Sequence, residues 1–138
     1  MATLPLEPHL FRLDGAQPVL LGSRCDRCDE TFFPQRRLCA LCAEPTAAVD
    51  LSTAGTLYSH TYVHVPYFGK RQVDGGGYGV GQVDLPERVR VQCVITGEPG
   101  SWSIGMPMRL EAEPVDTSVD GDEVVIFRFA PVEVGVDA

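Results

Sequence analysis

The amino-acid sequence predicts a mainly β protein, in which a small metal-binding segment is followed by a five-stranded barrel. Two Cys-x-x-Cys pairs lie with ten residues between them in the first third of the chain. Beyond residue 51 there are five short runs in which apolar and polar residues alternate. The 14 glycines and 11 prolines, with many β-branched residues, favour strands and turns over helices.

The four paired cysteines are candidate ligands for one metal ion. Cys25 and Cys28 form the first pair, and Cys39 and Cys42 form the second. Four thiolates at this spacing can surround a soft divalent metal as a tetrahedron; zinc is the first choice and iron is possible. No histidine lies between them. We therefore expect four sulfur ligands and a structural site with no open position for a substrate.

Two disulfides or free core thiols are the alternatives for these cysteines. No basic and apolar secretory leader is visible at the start of the sequence, so we expect a cytoplasmic setting. In a reducing compartment, paired cysteines favour a metal site over disulfides.

The sequence divides at about residue 50 into an N-terminal arm with a zinc ribbon, residues 1–50, and a barrel, residues 51–138. In the arm, apolar runs at residues 10–13 and 19–22 flank Asp14-Gly15 and predict a hairpin. A short helix over residues 8–13 is the alternative. Residues 31–37 are expected to form a short extended stretch within the ribbon.

Five strands are predicted after the ribbon, over residues 56–65, 78–85, 89–96, 108–113 and 123–129. Five strands in a segment of this size are typical of an oligonucleotide/oligosaccharide-binding (OB) barrel, and a two-sheet sandwich is the alternative. Strict alternation along the first strand would put Tyr58, His60, Tyr62 and His64 on one face, opposite Leu57. This stripe favours a stacking surface or a protein interface over a second metal site.

No catalytic residue is predicted. No Ser-His-Asp set, paired-carboxylate motif or phosphate-binding loop stands out. Cys93 falls on the apolar face of its strand and is interpreted as a buried, inert thiol, since no base partner is apparent.

The segment between the first two barrel strands is long for a hairpin connection. It carries Tyr67, Phe68, Lys70 and Arg71, followed by three consecutive glycines. Aromatic and basic side chains on a long loop can form a lid or a binding surface for a phosphate or carboxylate, and a plain surface loop is the alternative. Gly77, Gly79 and Gly81 lie at every second position with no helix after them, so they do not match a dinucleotide-binding fingerprint.

The net charge of −8 disfavours a nucleic-acid partner and an anionic membrane surface. No apolar stretch approaches the roughly 20 residues that span a bilayer.

The sequence resembles acyl-CoA-associated proteins of the domain-of-unknown-function thirty-five type, which pair a rubredoxin-like zinc ribbon with an OB barrel. The resemblance covers nearly the whole chain. One departure is Asp29, where a glycine commonly follows the first cysteine pair. The matching runs are Leu21-Gly22-Ser23-Arg24-Cys25-Asp26-Arg27-Cys28, Phe32-Phe33-Pro34, Cys39-Ala40-Leu41-Cys42, Gly55-Thr56-Leu57-Tyr58-Ser59, Gly81-Gln82-Val83-Asp84-Leu85, Gly105-Met106-Pro107-Met108 and Phe129-Ala130-Pro131.

The resemblance implies a non-catalytic subunit that docks to a thiolase-fold enzyme making or breaking carbon–carbon bonds on acyl-CoA thioesters. Family members accompany thiolases, including the benzoylsuccinyl-CoA type, and hydroxymethylglutaryl-CoA synthase assemblies. In this interpretation Tyr67, Phe68, Lys70 and Arg71 would cover the acyl-CoA site of the partner. The alternatives are a subunit of a steroid side-chain aldolase, a scaffold that channels intermediates and, less favoured, a nucleic-acid-binding module.

Overall fold

The computed structural model describes residues 2–64 and 77–132. This part of the chain contains ten strands and no helix, so no membrane-spanning helix occurs within it. The mainly β prediction is therefore confirmed. The strands are β1 (Thr3–Pro5), β2 (Phe11–Asp14), β3 (Gln17–Cys25), β4 (Glu30–Phe32), β5 (Ala47–Asp50), β6 (Ala54–Val63), β7 (Tyr78–Asp84), β8 (Arg90–Ile95), β9 (Pro107–Thr117) and β10 (Glu123–Pro131).

Strands β6 to β10 close into a five-stranded barrel. The neighbours around it are β6, β7, β8, β10 and β9, and β9 returns to pair with β6. All pairs are antiparallel except β8 with β10, which meet in parallel where Phe129 lies beside Ile95. Each of the five predicted barrel strands overlaps one of these strands, and the closed circuit corresponds to an OB barrel rather than a sandwich.

The barrel is filled by the inward positions of its own strands, which alternate with outward ones. Along β7 every second residue is buried, because Gly79, Gly81 and Val83 face the interior. Leu57, Leu110 and Phe129 are buried at the centre.

The predicted stripe of aromatic and histidine side chains along β6 is wrong, because the strand contains a β-bulge. The register with β7 shifts by one residue between Leu57 and Ser59. His60 and Tyr62 therefore fall on the same side of the strand as Leu57, and Tyr58 falls on the other side. Strict alternation was the wrong assumption, because a bulge adds one unpaired residue to the strand.

The glycines of β7 make room for large side chains. A Cβ atom on Gly79 would lie 2.5 Å from the Trp102 ring, and one on Gly81 would lie 2.9 Å from Ile95. The occurrence of glycine at every second position of β7 therefore has a packing explanation, because these small residues lie directly under bulky neighbours.

The N-terminal hairpin and the ribbon share the long strand β3. Its first half pairs with β2, which confirms the predicted hairpin and excludes the helix over residues 8–13. Its second half pairs with β4 on one side and β5 on the other, and this three-stranded sheet forms the ribbon.

The arm and the ribbon pack directly on the barrel. Phe11 and Leu20 of the hairpin are buried in the same core cluster as the barrel residues. The Phe127 ring meets Phe11 edge-on at 5.6 Å between centroids and Phe33 of the ribbon at 6.0 Å. Strand β1 also pairs in parallel with β10, so the arm extends the barrel sheet. The predicted division at residue 50 stays a prediction.

Gly79→Ala should destabilise the protein by about 1–3 kcal/mol, because the new methyl group overpacks against the indole of Trp102. Urea denaturation of the two proteins measures the difference. The control is a double-mutant cycle with Trp102→Phe, in which the smaller ring should reduce the cost of Gly79→Ala. An equal cost in both backgrounds would contradict the proposed contact.

Candidate metal centre

The four paired cysteines converge on one point of the ribbon. Cys25 ends β3 and Cys28 lies in the turn that follows, and Cys39 and Cys42 lie in a second turn. All four sulfur atoms lie within 4.8 Å of one another, and the Sγ atoms of Cys25 and Cys42 are 3.6 Å apart. A tetrahedral zinc site with Zn–S bonds of about 2.3 Å has sulfur–sulfur edges of about 3.8 Å. The cluster therefore has the size that such a metal requires.

The two cysteine turns have the same backbone geometry. In the first, the Asp29 N–H donates to the Cys25 carbonyl at 2.8 Å, and in the second the Ala43 N–H donates to the Cys39 carbonyl at 3.0 Å. Backbone N–H groups also point at sulfur, from Cys28 to Cys25 at 3.4 Å and from Leu41 to Cys39 at 3.3 Å. Such donors stabilise the thiolate form that binds a metal.

Each turn ends in a left-handed residue directly after its second cysteine. Asp29 has φ of 57° and Ala43 has φ of 65°. Asp29 tolerates this conformation because aspartate adopts it more readily than most residues. Its carboxylate also forms an ion pair with Arg24, which binds Asp26 at 2.7 Å as well. The turn therefore forms without the glycine common at this position in the family.

The thiols strongly influence one another's protonation. Hydrogen bonding to Cys42, burial and the nearby Cys39 raise the pKa of Cys28 to about 12. A hydrogen bond from the Cys28 N–H lowers the pKa of Cys25. Burial and hydrogen bonds with Cys42 and Cys39 outweigh this effect, so the pKa of Cys25 is raised. Burial opposes ionisation of Cys39 as well, yet the N–H groups of Leu41 and Cys42 help to lower its pKa to about 7. Four anions at this separation require a cation to neutralise them.

The arrangement can hold a metal with a complete set of four sulfur ligands. Cys25 and Cys39 are buried, whereas Cys28 and Cys42 are half-buried. A tetrahedral metal held by four protein sulfurs has no open coordination position, which is the hallmark of a structural site. Within residues 2–64 and 77–132, no other group of three or more potential ligands comes together.

Cys93 lies apart from this cluster, on β8. Burial raises the pKa of Cys93 to about 12, despite a backbone hydrogen bond from Phe129. A thiol that stays protonated at neutral pH is a poor nucleophile. The side chain is half-buried rather than fully buried, and its inert role stays a prediction.

The other predicted residues fall into two groups. At one end of β6, His60 and Tyr62 contact the Trp102 ring at 5.6 and 6.5 Å between centroids, and His64 contacts Tyr62 at 5.0 Å. These three side chains and Trp102 form an aromatic cluster, and the role of a stacking surface or an interface stays a prediction. The predicted loop residues lie outside the described part of the chain; they are Tyr67, Phe68, Lys70 and Arg71.

Three arginines that the sequence analysis did not identify as a group lie along one cleft. Arg36 of the ribbon faces Arg88 and Arg90 of the barrel there. Arg36 is far from the other two in sequence, and the tertiary packing of the ribbon on the barrel brings the three together. The nearest sequence signal is Arg36 itself, which follows two phenylalanines and a proline.

Comparison with known families and proteins agrees with this architecture. Residues 14–46 match the family described as "ChsH2, rubredoxin-like zinc ribbon domain", and residues 48–113 match "ChsH2, C-terminal OB-fold domain". A "Benzoylsuccinyl-CoA thiolase subunit BbsA" of Thauera aromatica is 31% identical over 86% of this chain and 81% of its own length. The chain belongs to the ChsH2-type DUF35 family.

Other DUF35 proteins also match this chain over most of its length. A "DUF35 domain-containing scaffold protein" of Methanocaldococcus jannaschii is 31% identical over 83% of this chain and 82% of its own length. Among solved structures, the "Ltp2-ChsH2(DUF35) aldolase" aligns with a TM-score of 0.65 at 25% identity, over 82% of this chain and 84% of that one. A DUF35 protein of Sulfolobus solfataricus shares the fold, with a TM-score of 0.51 at 17% identity over 83% of this chain and 76% of that one.

Ala43→Gly should stabilise this DUF35 protein by up to about 1 kcal/mol, because glycine adopts the left-handed conformation without the clash that alanine has there. Thermal denaturation of the metal-loaded chain measures the change. Ala40→Gly is the matched control: it lies in the same turn without a positive φ and should be neutral or destabilising. A gain of stability in both variants would contradict the assignment.

Zinc binding should strengthen as the pH rises and weaken on acidification between about pH 6 and 8. The reason is that Cys25 and Cys28, whose pKa values are raised, must lose protons before they bind. Competition with a chromophoric chelator measures the affinity, which should change by about tenfold per pH unit for each proton released. Cys93→Ser should retain one zinc per chain, whereas Cys28→Ser should bind far more weakly. A pH-independent affinity would contradict proton release.

Proposed function

We propose that this DUF35 protein is a non-catalytic subunit of a thiolase-fold enzyme that makes or breaks carbon–carbon bonds on acyl-CoA thioesters. It docks to the catalytic subunit and shapes or covers the acyl-CoA site. The observation that carries the proposal is the saturated sulfur cluster: the one group of potential metal ligands in the described residues has no position left for a substrate.

The names of the relatives support this role. The proteins of Thauera aromatica and Geobacter metallireducens are named as subunits of benzoylsuccinyl-CoA thiolase. A name that specifies a subunit implies a second polypeptide, and the absence of a reactive cysteine outside the cluster in the described chain is consistent with chemistry on that partner.

We assign zinc as the metal and a structural role to it. Cys25, Cys28, Cys39 and Cys42 would each supply one thiolate, and the ion would hold together a segment too small to bury a core of its own. Iron has the same coordination preference, so metal analysis of the purified protein separates the two.

We further propose that Tyr67, Phe68, Lys70 and Arg71 contact the partner or the acyl-CoA. Basic side chains can bind a phosphate or carboxylate through charge-assisted hydrogen bonds, and aromatic ones can pack on the partner surface. This assignment is based on their residue types and on the length of the segment that carries them.

Two alternatives within the same family have specific support. The structural similarity to an Ltp2–ChsH2 aldolase favours a subunit of a steroid side-chain aldolase. The archaeal relatives named as scaffold proteins favour a role in channelling intermediates between enzymes. The three roles share docking to a catalytic partner and differ in the identity of that partner.

Capture of the affinity-tagged full chain from its native host should recover a thiolase-fold protein, identified by mass spectrometry. Replacing Leu41 by serine should weaken the capture, because this leucine is 70% exposed on the second cysteine turn and would lose apolar contact with the partner. Val119→Ser is the matched control, since Val119 is a fully exposed apolar residue in the loop between β9 and β10. Zinc content is measured in each variant to confirm an intact site.

Acyl-CoA cleavage is then assayed with the isolated chain and with the recovered complex. We expect activity in the complex alone. Thioester cleavage or carbon–carbon bond cleavage by the isolated chain would contradict the proposal, as would capture that recovers no thiolase-fold protein.

A further inference from the structure

The four sulfurs of the cluster divide into an outer and an inner pair. Cys25 and Cys42 are the first and last potential ligands along the chain, and Cys28 and Cys39 lie directly before and after residues 29–38. We call residues 29–38 the ribbon loop. The inner pair therefore holds both ends of the ribbon loop, whereas the outer pair joins the end of β3 to the end of the second cysteine turn.

The outer pair is placed to form a disulfide. The Sγ atoms of Cys25 and Cys42 are 3.6 Å apart, so a small movement of the two turns would bring them to bonding distance. Cys42 is half-buried and can be reached from solvent, whereas Cys25 is buried. An accessible thiolate with a second sulfur beside it is the arrangement found in cysteines that respond to peroxide.

The ribbon loop is attached to the barrel through Phe33. The Phe33 ring meets Phe127 at 6.0 Å between centroids, and the Arg36 N–H donates to the Ser23 hydroxyl of β3 at 2.9 Å. Every residue of the ribbon loop is exposed or half-buried. A short segment without a buried residue of its own depends on its two anchored ends for a fixed position.

The hairpin and the barrel are held together by a core that does not include the four sulfurs. Phe11 and Leu20 of the hairpin are buried in one cluster with the barrel residues. Trp102 is the single tryptophan of the chain, and its ring packs on His60 and Tyr62 of the barrel. Its fluorescence therefore reports on the barrel and not on the ribbon.

We propose that the sulfur cluster is a peroxide-sensitive switch that controls the position of the ribbon loop on the barrel. The Cys42 thiolate attacks one oxygen of hydrogen peroxide, which forms an S–O bond, breaks the O–O bond and releases hydroxide. The Cys25 thiolate then attacks the sulfenic sulfur of Cys42, which forms the disulfide and releases a second hydroxide. The two thiolates lose two electrons to the peroxide, and two protons convert the two hydroxides to water.

Oxidation leaves two thiolates where four are needed. Cys28 and Cys39 alone do not complete a tetrahedral site, so the cluster releases its metal. Both ends of the ribbon loop are then free, and Phe33 and Arg36 leave the barrel while the hairpin and the barrel stay folded. Reduction of the disulfide by a dithiol and return of the metal restore the first state. This inference rests on the metal assignment above and not on docking to a thiolase-fold partner.

The test titrates the zinc-loaded full chain with hydrogen peroxide in the presence of a chromophoric chelator, and a sample without peroxide gives the spontaneous release. We expect one zinc released per disulfide, which peptide mapping by mass spectrometry should locate between Cys25 and Cys42. Amide hydrogen exchange should become faster at β4 and Arg36 and stay unchanged in β6 to β10, and Trp102 emission should not shift. Dithiothreitol followed by zinc should restore the slow exchange.

Three variants separate the thiols from the aromatic contact. Cys93→Ser removes the cysteine outside the cluster and should leave zinc release unchanged. Phe33→Ala keeps all four sulfurs but removes the ring that contacts the barrel, so exchange at the Arg36 amide should be faster before any peroxide is added. Phe32→Ala is its matched control, because the Phe32 ring lies under the Arg36 guanidinium instead, and exchange at that amide should change less.

Four results would overturn the proposal. They are oxidation of the chain without release of zinc, mapped disulfides that do not include the Cys25–Cys42 pair, exchange at β4 and Arg36 that is equally slow before and after oxidation, and a shift of Trp102 emission together with zinc release. The last result would mean that the barrel itself depends on the metal. A purified chain that binds no metal would refute the metal assignment and the switch together. Failure to capture a thiolase-fold protein bears on the proposed function alone.

Discussion

The packing of Phe11 and Phe33 against Phe127 joins the parts of this protein. Phe11 belongs to the N-terminal hairpin, Phe33 to the ribbon and Phe127 to the barrel, so three separate segments meet at one side chain. Edge-on aromatic pairs restrict geometry as well as burying area. The orientation of the ribbon on the barrel depends on this contact, and so does the cleft lined by Arg36, Arg88 and Arg90.

The metal cluster supports that contact from within the ribbon. The four sulfurs lie at both ends of the segment that carries Phe33. The Arg36 N–H, which donates to the buried Ser23 hydroxyl at 2.9 Å, fixes the same segment to β3. A metal held by the four sulfurs would therefore influence where the ribbon places its aromatic and basic side chains.

Much of the fold could be predicted from the sequence, because its signals are local. Cysteine spacing predicted the cluster, and alternation placed the barrel strands. The face of His60 and Tyr62 could not be predicted, since a bulge reverses the alternation of side chains and has no fixed sequence signal. The cleft lined by Arg36, Arg88 and Arg90 could not be predicted either, because Arg36 meets the other two only through tertiary packing. Predictions on residues 65–76 lie beyond what the structure describes.

The parallel pairing of β1 with β10 constrains the order in which the parts of the protein can fold during synthesis. Residues 3–5 are synthesised well before residues 123–125, so β1 has no strand partner until most of the barrel has been made. The cysteine quartet, by contrast, is complete by residue 42 and can take up its ion while the barrel is still being made. The metal site of a nascent chain can therefore form before the barrel does, while β1 stays unpaired until β10 has been synthesised.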